Sequence, residues 1–304
     1  MKNPWKAATP GLAALLFIAG GCAKPPKPIV VGSETSTEQI VVGEIVAQRL
    51  EQSLQRKVER QLGLGDELIL YQALVSGNVT LYPDYAAAIE TTILRQRPDS
   101  NPDIVREHVR NELRRTAQLE LLEPLGYEST PVVVVKKTDA ERAKVKTLSD
   151  TARQTFRWKL GVSYNFEQRA MGATALSAYA IPMAEGTRAM ETPQLFPALE
   201  QGQVSMVAST LTDSRLTMPE YAILADDQSV FPPYQACLLV RQDALVEHPE
   251  MRPALSSLSG KLTTAIVRKL AAAVDLEHRK PADVAAEFLA AAGLKSSAAA
   301  IDLR

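Results

Sequence analysis

The sequence predicts an α/β protein built as two lobes. Short apolar runs, several rich in β-branched residues, alternate along the chain with segments of helical periodicity, which is the pattern of sheets covered by helices. The run Val132–Val135 consists of four valines, the composition of a strand buried on both faces. The length of 304 residues is sufficient for two lobes of about 100–150 residues each. We therefore expect two lobes, each with a mostly parallel sheet.

The strands are predicted from their β-branched composition and from the turn residues that bound them. Ile29–Val31 ends at a glycine and a serine, and Val79–Tyr82 follows a glycine. Four further runs share this pattern and are predicted as strands: Val132–Val135, Leu160–Val162, Val204–Ala208 and Ala236–Val240.

The helices are predicted from capping signals and apolar periodicity. Ser36 with Gln39 three residues later forms a capping box at the start of an apolar face that continues to Leu50. A second helix ends at Gly77, because glycine readily adopts the left-handed conformation that terminates a helix. Asn101–Glu120 is amphipathic and rich in charge, and nearly all of Pro249–Leu294 has helical character.

The lobes are expected to be joined by chain crossings, since no low-complexity linker interrupts the body of the protein. The two crossings are predicted near Val132–Val135 and Ala236–Val240, because the chain between them is long enough for a lobe of its own. The predicted domains are residues 29–133 together with 239–304 for the first lobe, and 134–238 for the second.

The N-terminal segment predicts export. Lys2 and Lys6 precede the apolar stretch Gly11–Ala19, which is far shorter than the roughly 20 residues of a membrane-spanning helix. Small residues lead directly into Cys22, as in a bacterial lipobox. We expect a signal peptide over residues 1–21, lipidation of Cys22 and a proline-rich tether over 22–28. The alternative is a soluble export signal with an incidental cysteine.

Composition excludes several classes of function. Lys and Arg number 34 against 35 Asp and Glu, so there is no basic excess for nucleic-acid binding. Cys22 and Cys237 are too few for a disulfide framework, and Cys237 is expected to be a buried apolar residue. The three histidines, His108, His248 and His278, are expected at the solvated surface, without zinc spacing. No hydrolase or nucleotide-binding motif is present, so we expect no catalytic residues, metal or cofactor.

Several motifs, taken in order, carry a family resemblance. They are Ile29-Val30-Val31-Gly32-Ser33, Thr37-Glu38-Gln39, Gly43-Glu44-Ile45, Leu62-Gly63-Leu64-Gly65, Ala73-Leu74-Val75-Ser76-Gly77, Leu81-Tyr82-Pro83-Asp84-Tyr85, Phe166 with Arg169, Thr212-Asp213-Ser214-Arg215, Leu224-Ala225-Asp226-Asp227, Phe231-Pro232-Pro233-Tyr234, Val240-Arg241, His248-Pro249-Glu250 and Pro281–Gly293. Together they resemble the substrate-binding proteins of glycine betaine/choline (osmoprotectant) ABC importers.

The resemblance implies a type II periplasmic-binding-protein fold with a ligand cleft between two α/β lobes. It implies an extracytoplasmic, monomeric protein, anchored to the membrane by lipid at Cys22. Such a protein delivers a quaternary-ammonium solute to a separate permease, and transport also needs a separate ATPase subunit. A quaternary ammonium ion has no N–H to donate, so aromatic ring faces hold it.

The resemblance also implies the binding residues. Tyr85 and Tyr234 match cage tyrosines, and Arg169 matches the arginine that pairs with a solute carboxylate. Pro131 and Thr210 stand where the family has further tyrosines, and Ala88 replaces a threonine. The polar residues assigned to ligand contact complete the predicted set: Ser33, Thr35, Gln39, Asn165, Thr210 and Asp213.

Three alternatives remain open from the sequence. The depleted cage is compatible with a different small zwitterion or cation. The same fold also serves as a solute-sensing module that signals to a receptor. An extracytoplasmic enzyme on the same scaffold is the third alternative, because a fold does not fix a function.

Overall fold

Two five-stranded sheets form the framework of the protein. The computed structural model describes residues 27–164, 166 and 176–294. The first sheet has the order β2-β1-β3-β10-β4 and the second has the order β7-β6-β8-β5-β9. The strands of the first sheet are β1 Val30–Glu34, β2 Glu59–Gly65, β3 Leu81–Tyr85, β4 Leu119–Leu121 and β10 Ala236–Arg241; those of the second are β5 Pro131–Lys136, β6 Leu160–Ser163, β7 Arg188–Met190, β8 Met206–Thr210 and β9 Tyr221–Leu224.

Helices cover both sheets, which confirms the predicted α/β class. Those that follow strands of the first sheet are α1 Thr37–Leu54, α2 Glu67–Ser76, α3 Ala86–Thr92, α4 Pro102–Ala117, α8 Gln242–Glu247, α9 Met251–Ser256, α10 Thr264–Asp275 and α11 Pro281–Ala291; those described in the second lobe are α5 Lys137–Ala143, α6 Leu148–Ala152 and α7 Leu195–Glu200. Within the described ranges, no helix is both long and apolar enough to cross a membrane.

The expectation of mostly parallel sheets is wrong. Among the described strands, four pairings are parallel and four are antiparallel. All four antiparallel pairings involve β5 or β10, the first strand after each crossing between the lobes. The chain enters each sheet at these points from the other lobe, so it does not need the helical crossover that parallel neighbours require.

Strand pairing places the crossings just outside β5 and β10. All of β5 pairs within the second sheet, and all of β10 pairs within the first. The predicted boundaries at 133/134 and 238/239 fall inside these two strands. We use "first lobe" and "second lobe" for the two sheets with their helices, and the division by residue number stays a prediction.

The valine run in β5 has its predicted environment. Val133 and Val135 pack into one core of the second lobe, whereas Val132 and Val134 pack into a second core on the other face of the sheet. This alternation follows from the twofold periodicity of a strand. The first lobe has one large core that includes Cys237, buried as expected.

Two local predictions need correction. The helix predicted over Asn101–Glu120 ends at Ala117, because Gln118 adopts a left-handed conformation (φ 55°) and β4 begins at the next residue. His248, expected at the surface, is buried against the first lobe, with its ring 3.5 Å from the Arg56 guanidinium.

Direct contacts hold the lobes against each other near the crossings. Arg268 in α10 donates a hydrogen bond through its Nε to the backbone carbonyl of Leu211, at 2.8 Å. Leu211 follows β8 of the second lobe, so a helix from the C-terminal part of the first lobe reaches across to the second. Burial lowers the pKa of Arg268.

Candidate functional site

The first-lobe residues of the predicted site lie at one end of the first sheet. Parallel strands β1 and β3 end at Glu34 and Tyr85, and α1 begins just after β1, so the strand ends and the helix start come together. This is the edge at which α/β sheets bind ligands. Ser33, Gln39 and Tyr85 are buried here, whereas Thr35 is exposed.

Tyr85 and Tyr234 form an aromatic pair. Their ring centroids lie 6.0 Å apart with an interplanar angle of 54°, and the residues are 7% and 4% exposed. Tyr234 lies in the second crossing, and its backbone N–H donates to the hydroxyl of Thr130 in the first crossing at 3.0 Å. The structure therefore brings together the two predicted aromatic residues from positions 149 residues apart in the sequence.

Gln39 is a buried amide whose side chain makes no hydrogen bond in the described part of the chain. The Ser36 hydroxyl accepts the backbone N–H of Gln39 at 3.3 Å, as the capping prediction required. The reciprocal half of the predicted capping box is missing, because neither side-chain Oε1 nor Nε2 of Gln39 has a partner. A fully buried amide without partners is costly, so this side chain is suited to a polar group that the protein does not itself supply.

A buried carboxylate that the sequence did not reveal lies beside the aromatic pair. Glu38, in the first turn of α1, is 7% exposed. Its Oε1 accepts the Tyr85 hydroxyl, and its Oε2 accepts the hydroxyls of Ser129, at 2.8 Å, and Thr212. Ser129 and Thr212 also lie 2.7 Å apart. The cluster thus joins the first lobe, the first crossing and the second lobe.

Glu38 escaped the sequence analysis because nothing local distinguishes it. An acidic residue in the first turn of a helix is usually a solvated complement to the helix dipole. Ser129 and Thr212 are 91 and 174 residues away in the chain, so only tertiary structure shows the cluster. The sequence features that could have indicated the cluster are the hydroxyl groups of Ser129, in the first crossing, and Thr212, in the loop after β8.

The phenols near Glu38 are held in their neutral form. Burial raises the pKa of Tyr85 well above its usual range, and the negative charges of Glu38 and Glu34 raise it further. The same two causes, burial and then Glu38, raise the pKa of Tyr127. These tyrosines therefore present uncharged aromatic rings, which is the form whose faces attract cations.

The two positions at which the family resemblance predicts missing tyrosines are direct neighbours. Pro131 and Thr210 face each other in the antiparallel pairing of β5 with β8. The Thr210 hydroxyl lies 3.2 Å from that of Thr212. Both positions therefore belong to one small area of the second lobe.

Two of the other predicted polar residues already make hydrogen bonds within the protein. The Ser33 hydroxyl donates to the Glu34 carbonyl at 2.9 Å and accepts the Gly63 N–H at 3.0 Å. Asp213 accepts the Ser209 hydroxyl and the Arg215 N–H, at 2.5 and 2.9 Å, and so caps a short 3₁₀ helix. Asn165 and Arg169 lie outside the described residues.

Among the residues that the structure describes, no group of His, Cys, Asp and Glu side chains is arranged to hold a metal ion. A surface groove of about 660 Å³ lies elsewhere, between α10 and α11, and its walls include none of the predicted site residues.

Residues 27–291 match the family described as the substrate-binding domain of the ABC-type glycine betaine transport system. The chain belongs to this family. The match covers both lobes, and it confirms the family and the two-lobed fold that the sequence motifs predicted.

Individual relatives agree with the family. The chain is 25% identical over 285 residues to an ergothioneine transport permease/ergothioneine binding protein of Helicobacter pylori, covering 93% of this chain but only 51% of that relative. It is 27% identical over 273 residues to a carnitine transport binding protein of Listeria monocytogenes, covering 89% and 88% of the two chains. A solved glycine betaine/carnitine/choline ABC transporter structure superposes with a TM-score of 0.77 at 22% identity, over 88% of this chain and all of that one.

Asp84 lies directly before Tyr85 and is almost completely buried. One carboxylate oxygen accepts the Tyr85 N–H at 2.7 Å, and the other has no hydrogen-bond partner in the described ranges. Burial raises the pKa of Asp84 well above its ordinary value, and the negative charges of Glu67 and Glu34 raise it further. As pH rises, the unfolded chain therefore loses the Asp84 proton first, and the folded protein keeps it to a higher pH.

We predict that Asp84→Asn flattens the pH dependence of stability. Above the ordinary pKa of 3.8, the folded state binds more protons than the unfolded state, so the wild-type unfolding free energy falls as pH rises toward the folded pKa. The variant should lack this contribution, which amounts to at most about 1.4 kcal/mol per pH unit. Urea unfolding at several pH values measures both slopes. Asp99→Asn, at an exposed position, should keep the wild-type slope; equal slopes for Asp84→Asn and wild type would refute the assignment.

Proposed function

We propose that this protein is the extracytoplasmic solute-binding component of an ABC importer, and that it captures a quaternary-ammonium compatible solute of the glycine betaine or choline type. The observation that carries the proposal is the buried pair of aromatic rings, Tyr85 and Tyr234, which lies where the lobes meet. A trimethylammonium group has no hydrogen to donate, and each well-placed ring stabilises it by about 0.5–2 kcal/mol.

The relatives favour the same solute class. Carnitine and ergothioneine, which two relatives are named for, both carry a trimethylammonium group, as glycine betaine does. The two rings account for this shared group. We propose that the smaller side chains at Pro131 and Thr210 admit solutes that differ in the rest of the molecule.

We assign the polar contacts to fewer residues than the sequence proposed. Gln39 has a buried amide with unused hydrogen-bonding capacity, so we propose that it contacts the solute. The Ser33 side chain already bonds to strands β1 and β2, and that of Asp213 to β8 and a 3₁₀ helix, so we propose that they shape the site. Arg169 is our proposed partner for a solute carboxylate. Thr35, Asn165 and Thr210 remain proposed contacts of the cleft.

The mechanism that we propose is capture by lobe closure, without catalysis. Tyr85, Tyr234 and Gln39 are nearly inaccessible in the described arrangement, so a solute can reach them only when the lobes separate. When the lobes close around the solute, the protein presents the bound solute to a separate permease, which works with an ATPase subunit. We propose that the protein acts as a monomer.

We predict that Tyr85→Ala and Tyr234→Ala each weaken binding of glycine betaine, choline or carnitine by about tenfold or more, since each removes one ring of the pair. Isothermal titration calorimetry measures the dissociation constants. Tyr71→Ala is the matched control, because it removes a half-buried ring of α2 outside the site and should leave affinity unchanged. Unaltered affinity in both cage variants, beside a wild type that binds, would show that the solute is held elsewhere.

We predict that Thr210→Tyr tightens choline binding about 3- to 10-fold, because it supplies one cation-attracting ring. Thr210→Leu is the control: it adds apolar bulk without a π face, and it also removes the Thr210–Thr212 contact. The same calorimetric titration compares them. Equal effects of tyrosine and leucine would mean that bulk alone, and no ring face, acts at this position.

We propose that Cys22 carries a lipid that anchors the protein to the membrane, on the basis of the small residues that precede it. Cys22 lies outside the described residues. Cys22→Ala should move the exported protein from the membrane fraction to the soluble fraction, as measured by fractionation and immunoblotting. Cys237→Ala, which changes the buried thiol, should stay with the membrane. Retention of the Cys22 variant on the membrane would contradict lipidation.

A further inference from the structure

The Glu38 carboxylate is a buried charge without a cationic partner. None of the salt bridges among the described residues includes Glu38, and its hydrogen bonds all come from neutral hydroxyls. Two other buried carboxylates of the first lobe have a cationic partner, whereas Asp84, which has no salt bridge among the described residues either, holds its proton. Glu44 pairs with Arg60, and Glu120 pairs with Arg114.

An uncompensated buried charge is unfavourable. Because the charge of Glu38 is negative, a cationic ligand would reduce this cost. The three hydroxyls satisfy the hydrogen-bonding capacity of a group that only accepts, but they leave its negative charge in place. One of these hydroxyls is that of Tyr85, so the charge lies at the edge of a ring that a solute cation would contact once the lobes separate. A cation on that ring would lie within about 6 Å of its centroid.

We propose that Glu38 is a positioning residue that makes the Tyr85–Tyr234 site selective for positive charge. This inference rests on the proposed function and deepens it. The carboxylate fixes the Tyr85 ring through its hydroxyl and adds an electrostatic attraction that acts on the ammonium group. A charge about 8 Å away in an environment with an effective dielectric constant near 20 is sufficient to change affinity tenfold or more. The attraction favours a trimethylammonium group over an uncharged group of equal size.

The contacts of Glu38 also separate this role from that of a simple spacer. Thr212 and Ser129 donate to Oε2, whereas Tyr85 donates to Oε1. A contact between the lobes needs only Oε2. The bond to Tyr85 is what connects the charge to the aromatic pair.

The test uses two probes of the same shape and different charge. Choline carries a trimethylammonium group, and 3,3-dimethylbutan-1-ol is its uncharged carbon isostere. We expect wild type to prefer choline. Glu38→Gln should raise the choline dissociation constant about tenfold and change that of the alcohol by less than about twofold. Calorimetry measures both constants, and circular dichroism checks that each variant is folded.

Three further variants separate charge from structure. Glu38→Asp keeps the charge and should retain the wild-type preference to within about threefold. Thr212→Val removes a hydroxyl contact between the lobes without changing the charge, so the ratio of the two constants should stay the same. Tyr85→Ala should weaken choline binding whether or not Glu38 confers selectivity, so it tests the site itself.

The outcomes distinguish this inference from the proposed function. Equal weakening of both probes by Glu38→Gln would reduce Glu38 to a structural residue while leaving the function intact. Wild type that binds the alcohol as tightly as choline would overturn the charge role without any variant, even if Glu38→Gln failed to fold. If Glu38→Gln does not fold, Glu38→Asp replaces it: a folded Glu38→Asp that loses the wild-type preference for choline would also contradict the charge role. Absence of choline binding to wild type, or full binding to Tyr85→Ala, would refute the proposed site and this role together.

Discussion

The hydrogen bonds that converge on Glu38 are the constraint around which the centre of the molecule is organised. A buried carboxylate must be surrounded by donors, and here the donors come from β3, from the first crossing and from the loop after β8. Those three segments belong to different parts of the fold, so satisfying one side chain fixes how they lie relative to one another. The orientation of the Tyr85 ring follows from the same requirement. Packing of the hydrophobic cores explains why each lobe is stable, whereas this cluster and the Arg268–Leu211 hydrogen bond hold the lobes against each other.

The sequence predicted those features of the fold that are encoded locally. The valines of β5, the Ser36 cap and the glycine that ends α2 each depend on residues within a few positions. The antiparallel direction of β5 and β10 does not, because strand direction within a sheet depends on the path of the whole chain. The end of α4 was missed for a subtler reason. Gln118 adopts the left-handed conformation that ends the helix. Glycine or asparagine usually marks such a position in a sequence, and glutamine does not.

The candidate site shows the same division between local and long-range information. Tyr85 and Tyr234 were found through motifs, and the structure shows that they are adjacent. Glu38 and Ser129 were missed because their roles exist only in contacts between distant segments. The family comparison strengthens the general function, but the difference at Pro131 and Thr210 lies within a single strand pair. The two positions at which the resemblance predicts missing tyrosines are thus neighbours on the second lobe, whereas the predicted change at Ala88 lies in α3 of the first lobe.

The position of β10 has a consequence for how the chain acquires its structure after export. β10 lies between β3 and β4 in the first sheet, yet it follows the entire second lobe in the sequence. Until residues 236–241 emerge, β3 has an unpaired edge and β4 has no neighbour in its sheet, whereas β5 to β9 are contiguous and can already pair. The second lobe can thus form early from local contacts, and the first must wait for a strand more than 110 residues downstream of β4. During that interval the exposed edge of β3 is open to pairing with other chains, so the aromatic site is among the last parts of the protein to be completed.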